Sequence, residues 1–162
     1  MIVSYDIENE LPHLLTSSYL SPPIPIEEIS LKLGYKVDRI DAHLLEKDCI
    51  ISVSSKNSKI IKINRFCPEK IQRLAVACQI GMHLTARKTK SGDIPDNFVL
   101  DYKNIYSPFN EFEKKSSKLA LQLLLPEHLI QPIEKYKANV NIEYLFQINS
   151  KISELRRNIL IQ

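Results

Sequence analysis

The stretch from Pro68 to Leu84 constrains this chain more than any other part of it. Pro68 suits the first helical position, where a missing N–H costs nothing, and Glu69 follows in the first turn. Ile71, Leu74, Ala75, Ala77, Cys78, Met82 and Leu84 then recur at intervals of three and four, which predicts a strong helix with one buried face. Just upstream, Cys49 to Ser54 and Ile60 to Asn64 are short runs rich in β-branched residues. They flank the polar insert Ser55-Lys56-Asn57-Ser58, so they read as a hairpin pairing Ile50, Ile51 and Val53 with Ile60, Ile61 and Ile63. Tyr35 and Val37 lie in a further strand-like stretch. The expected class is α+β: a small antiparallel or mixed sheet, half buried, packed against helices.

The remaining pattern fills in the helices. Ile7, Leu11, Leu14 and Leu15 have helical spacing interrupted by Pro12, so a short or broken N-terminal helix is expected. Ser21-Pro22-Pro23-Ile24-Pro25 is an extended lead-in to a short helix carrying Ile26, Ile29, Leu31 and Leu33, acidic at its start and ended by Gly34. Ala86 to Pro108 holds enough breakers to be read as a long loop, with Arg87-Lys88-Thr89-Lys90 as its solvated basic start. A second strong helix runs from about Asn110 to Leu125 and stops at Pro126; shorter pieces follow, broken near Pro132 and at Asn149-Ser150. Residues 1–136 are expected to form the domain, with a helical segment, 137–162, packed on it as one compact unit.

Composition removes several classes of function. With 44% hydrophobic and 25% charged residues, the chain has the make-up of a folded globular protein. No apolar run approaches the roughly 20 residues of a membrane span, and the acidic N-terminus lacks the marks of a secretory signal, so a cytoplasmic location without a membrane partner is expected. Cys49, Cys67 and Cys78 contain no CxxC pair and read as reduced thiols. A net charge of +3, from 22 basic and 19 acidic residues, is too balanced for a general nucleic-acid footprint. His13, His43, His83 and His128 are scattered, with no second histidine at i,i+4, and neither a GxSxG elbow, a P-loop nor a GxGxxG is present.

Three blocks in order nevertheless resemble the ImmA/IrrE-type zinc metallopeptidases. Pro22 to Gly34 (PPIPIEEISLKLG) resembles that family's PPxxxxxIAxxLG helix. Ile63-Asn64 with Gln72 to Met82 (QRLAVACQIGM) is similar, in register without a gap, to the INxxxxxxRQRFTIAHELGH segment. Glu113 to Pro126 is similar to the later ExxANxFAxxLLMP helix, and Ile142 to Leu160 to the C-terminal LAxxFxVSxxALxxRL segment, with Phe146, Ile148 and Arg156 in matching places. The resemblance implies a zincin-like, gluzincin-type scaffold with a metal site between two helices.

The departures fall on the chemistry. In the HExxH motif two histidines one turn apart bind zinc, and the glutamate between them takes a proton from the metal-bound water. Here Cys78, Gln79, Ile80, Gly81 and Met82 stand in those places. Gln79, at the degenerate general-base position, can orient a water but cannot take its proton. Met82 offers a soft thioether, poor for zinc; Cys78 could ligate as a thiolate; Glu113 falls at the family's carboxylate-ligand position. Core packing is the expected role of Cys78 and Met82, while Glu113 reads equally as a complement to the helix dipole and as a vestigial ligand. His83 is rotated about 100° from Met82 and is expected to be partly exposed.

The resemblance therefore implies a catalytically degenerate, pseudoenzyme form with no cofactor. It would act by binding a protein, with a helix-turn-helix regulator of a phage, mobile element or stress regulon as partner. The alternative is an active endopeptidase that cleaves such a repressor, with zinc on Cys78, Glu113 and His83 or another histidine, and Glu111 as base. A third possibility is a structural or immunity-type protein unconnected with any regulator. The C-terminal helices are expected to form a cap or partner surface rather than a DNA reader, because Lys151, Arg156 and Arg157 are their only cations.

Overall fold

In the computed structural model, which describes residues 21–41, 50–89, 94–136 and 139–160, the elements run in the order α1 (Ile26–Lys32), β1 (Lys36–Ile40), β2 (Ile50–Ser55), β3 (Ile60–Asn64), α2 (Glu69–Lys88), β4 (Asn97–Asp101), α3 (Glu111–Leu124), α4 (Glu127–Tyr136), α5 (Ile142–Phe146) and α6 (Ser150–Leu160). The α+β class holds, and the sheet is mixed. Its order is β1-β3-β2-β4, with β1 parallel to β3 and β2 antiparallel to both neighbours. The expected N-terminal helix, with Cys49, His13 and His43, lies outside the described residues.

The hairpin forms around the polar insert, but its pairs are Ser52 with Ile63 and Val53 with Lys62. β3 alternates as expected, burying Ile61 and Ile63 while Ile60 and Lys62 face out. β2 does not. A register shift between Ile50 and Ser52 leaves Ser52 and Ser54 buried alongside Ile51, so this strand brings two hydroxyls into the interior. β4 corrects the loop expected from Ala86 to Pro108. Phe98 and Leu100 are buried between the more exposed Asn97 and Val99, a two-residue period short enough to be hidden between Pro95 and Pro108.

α2 forms the centre of the molecule. It begins one residue later than expected, with Pro68 as its N-cap, and every residue from Leu74 to Thr85 is buried. The expectation of one buried face fails because α2 packs on the sheet and, on another side, against α3. A helix enclosed in this way must find internal partners for any polar side chain.

Polar bonds lock α1 and β1 to this centre. Arg39 is ion-paired with Glu27 and donates from Nε to Gln72 Oε1 at 2.8 Å. Gln72 Nε2 donates to the carbonyls of Cys67 and Arg65, and Arg73 Nη2 donates to that of Ile24 at 2.8 Å. Gly34, at φ +93°, turns the chain out of α1 into β1. Leu31 is 67% exposed, so the apolar face of α1 is narrower than its sequence suggested.

α4 continues through Pro132, where a break was expected. The bond lost there involves the carbonyl of His128, an exposed residue that water can reach. Asn149 starts α6, its Oδ1 accepting from Ile152 N, and Phe146, Ile148, Ile152 and Leu155 join the common core. No described helix is long and apolar enough to cross a membrane.

Candidate functional site

α2 and α3 approach each other closely at Gly81. A Cβ on this residue would lie 2.2 Å from the backbone oxygen of Ser116, so only glycine permits the approach. Beside this crossing, Cys78, Met82 and Glu113 line one recess with Ser116, Ser117, Leu100, Asn104 and Ile105. The structure thus brings together the three positions that the resemblance singled out as ligand places. The recess has a volume of about 10 Å³, near the lower limit for one water molecule, and Asn104 and Ile105 from the chain after β4 help to line it.

The donors do not suit zinc. The Cys78 thiol is buried, and burial pushes its pKa up to about 12. Met82 contributes an uncharged thioether. Glu113 is engaged elsewhere: its Oε2 accepts from the N–H of Phe109 at 2.6 Å and, at 3.4 Å, from that of Asn110, while Asn110 Oδ1 accepts from Glu113 N at 2.8 Å. This reciprocal pair is a capping box at the start of α3. Of the two roles open to Glu113 in the sequence, the structure displays the cap. Among the described residues, no three His, Cys, Asp or Glu side chains are grouped to hold a metal ion.

Gln79 and His83, one turn apart, occupy a different face of α2, toward β2 and β4. Gln79 is fully buried; its Nε2 donates to Phe98 O at 3.0 Å and Ser52 Oγ at 2.9 Å, and its Oε1 accepts from Ser54 Oγ at 2.6 Å. The Phe98 carbonyl can only accept, which fixes the orientation of the amide. Ser54 therefore spends its single proton on Gln79, and His83 Nε2, 2.8 Å from Ser54 Oγ, must carry the hydrogen between them. His83 so tautomerised cannot deprotonate Ser54, which removes a Ser–His nucleophile from consideration.

His83 was expected to be partly exposed, yet it is only 3% exposed, packed against the rings of Tyr35 and Phe98. It does not line the recess of Cys78 and Glu113. Burial, aided by the charges of Lys59 and Arg87, lowers its pKa to about 4. A base with a depressed folded-state pKa is protonated first in the unfolded chain, so its contribution favours folding above pH 6.5 and is lost as pH falls toward 4. Urea denaturation at pH 7.0 and 4.5 should show a stability loss of about 2 kcal/mol from this group. His83→Gln should reduce the difference by that amount; an unchanged pH dependence would refute the assignment.

The two serines are the site residues that sequence reasoning missed. Their signal was present as Ser52 and Ser54 at the two-residue period of a strand, with Gln79 and His83 at helical i,i+4 spacing. The reading of Arg87 as part of a solvated loop also needs correction. Arg87 belongs to the last turn of α2 and donates to Tyr35 Oη at 2.6 Å. At the other end of the chain, Arg156 is held by Glu127 at 2.5 Å and Glu134 at 3.2 Å, while Lys151 lies over the ring of Tyr106. No protein family, curated protein or solved structure matches the chain.

Proposed function

We propose that this chain is a non-hydrolytic relative of the ImmA/IrrE-type metallopeptidases that acts by binding a protein, with a helix-turn-helix regulator as partner. The observation carrying the non-hydrolytic part is the saturation of Gln79. At the position where hydrolysis requires a carboxylate beside a metal-bound water, an amide makes three hydrogen bonds to two strands and faces no open space. The zincin-like scaffold and the regulator as partner rest on the sequence blocks. The close crossing at Gly81 and Ser116, within two of those blocks, supports the scaffold by placing Cys78, Met82 and Glu113 side by side. The rearranged zinc enzyme loses support, since His83 is committed to Ser54 and Glu113 caps a helix.

Purified full-length chain, supplemented with zinc, should bind one member of a panel of helix-turn-helix repressors from the source genome and leave it intact. Gel electrophoresis and calorimetry read the two parts separately. Chelator-sensitive cleavage would overturn the non-hydrolytic reading, and failure to bind any member would overturn the choice of partner.

A further inference from the structure

The turn between β2 and β3 and the last turn of α2 face each other across a concavity of about 350 Å³, away from the recess of Cys78 and Glu113. This lies within the usual range of small-ligand sites, roughly 300–1,000 Å³. The buried ring of Tyr35 forms part of the wall and gathers two cations. The Lys59 ammonium is 4.6 Å from the ring centroid and the Arg87 guanidinium carbon 5.4 Å, with Arg87 also bonded to the phenol.

Among the described residues, the charges around this wall are unbalanced. Lys56, from the same turn, is paired with Asp96 at 3.1 Å. No carboxylate among the described residues pairs with Lys59 or Arg87. Lys59 titrates below the usual lysine range, through partial burial of its ammonium and the Arg87 charge beside it. An anion between the two cations would offset their mutual repulsion.

The donor types narrow the anion. Arg87 offers a planar fork matched to two oxygens of one group, and Lys59 a point charge. Ser58 Oγ accepts from Ile60 N, which leaves its own proton to donate, and Asn57 adds an amide to the lining. A phosphate monoester carries about −1.5 to −2 charge at neutral pH, close in size to the summed charge of Lys59 and Arg87, whereas a carboxylate carries one. We propose that this pocket binds the phosphate group of a small phosphorylated molecule. This site is independent of the metallopeptidase resemblance.

The test is titration of the full chain, followed by amide NMR, with inorganic phosphate, sulfate, adenosine monophosphate and a twelve-nucleotide single-stranded DNA. The monophosphate should shift resonances of the 56–59 turn and of Arg87, and bind at least tenfold more tightly than sulfate. Lys59→Met and Arg87→Met should each weaken it at least tenfold, with Arg87→Lys recovering only part. Lys59 is an exposed turn residue, so its variant keeps the test valid if an Arg87 variant unfolds. The proposal is overturned if no probe shifts the pocket at millimolar concentration, or if the substitutions leave affinity unchanged. It also fails if the oligonucleotide binds more tightly than the monophosphate.

Discussion

Gly81→Ala should destabilise the protein by about 3 kcal/mol, lowering its thermal midpoint by roughly 6–12 °C for a chain of this size. The new methyl would meet the Ser116 carbonyl oxygen at 2.2 Å. Relief requires α2 and α3 to move apart by about 1 Å, loosening an interface whose atoms are packed to crystal-like density. Alanine's better helix propensity returns no more than about 1 kcal/mol. Because the obstructing atom belongs to the backbone, Ser116→Gly cannot rescue the variant. Gly34→Ala is the comparison: nothing lies within 4 Å of its new methyl, so only the cost of φ +93° remains, about 1 kcal/mol. Thermal melts of both variants test the crossing, and a Gly81→Ala protein as stable as the parent would show that the helices do not approach so closely.

Gln79→Glu introduces the side chain that the HExxH motif carries at the place Gln79 holds in the resemblance, and it should cost at least about 3 kcal/mol at pH 7. The carboxylate would replace an amide that donates to Phe98 O and Ser52 Oγ, setting oxygen against a carbonyl oxygen at a fully buried position. Burial favours the neutral acid, so the folded-state pKa of this glutamate rises above its unfolded value near 4.3. The penalty relative to the parent is then small below that pH and grows as pH rises through it, opposite in sign to the contribution of His83. Urea denaturation of parent and variant at pH 4.5 and pH 7 measures it. Equal stability at pH 7 would mean that the Gln79 network is dispensable. A large penalty means that the interior is built around an amide.

Much of the fold was legible because periodicity and punctuation agreed. Helix α2 followed from the spacing of Ile71 to Leu84 after Pro68, and the hairpin from two β-branched runs around a polar insert. What could not be read depended on contacts distant in sequence. β4 is five residues long between prolines and is held by pairing with β2, which local propensity does not encode. α2 carries enough polar residues to suggest a solvent face, yet Gln79 and His83 are satisfied by hydroxyls from a strand 25 to 29 residues away. Pro132 suggested a break that an exposed position on α4 tolerates.

The candidate site divides in the same way. The resemblance pointed to Cys78, Met82 and Glu113 as a set, and they share one recess. Their occupations were not legible. Glu113 was open to two roles until the N–H groups of Phe109 and Asn110 were seen to take its carboxylate. Ser52 and Ser54 carry no motif and acquire meaning only opposite Gln79. Arg87, which is solvent-exposed as expected, read as part of a loop because the ring it grips, Tyr35, lies 52 residues earlier.

The most direct test of the non-hydrolytic assignment is metal content. Elemental analysis should be made on full-length protein purified without a histidine tag, before and after zinc supplementation, with Cys78→Ala alongside. The assignment predicts a small fraction of one zinc per folded chain, the same in both proteins. Near-stoichiometric zinc that disappears in Cys78→Ala would contradict it and restore the rearranged metallopeptidase.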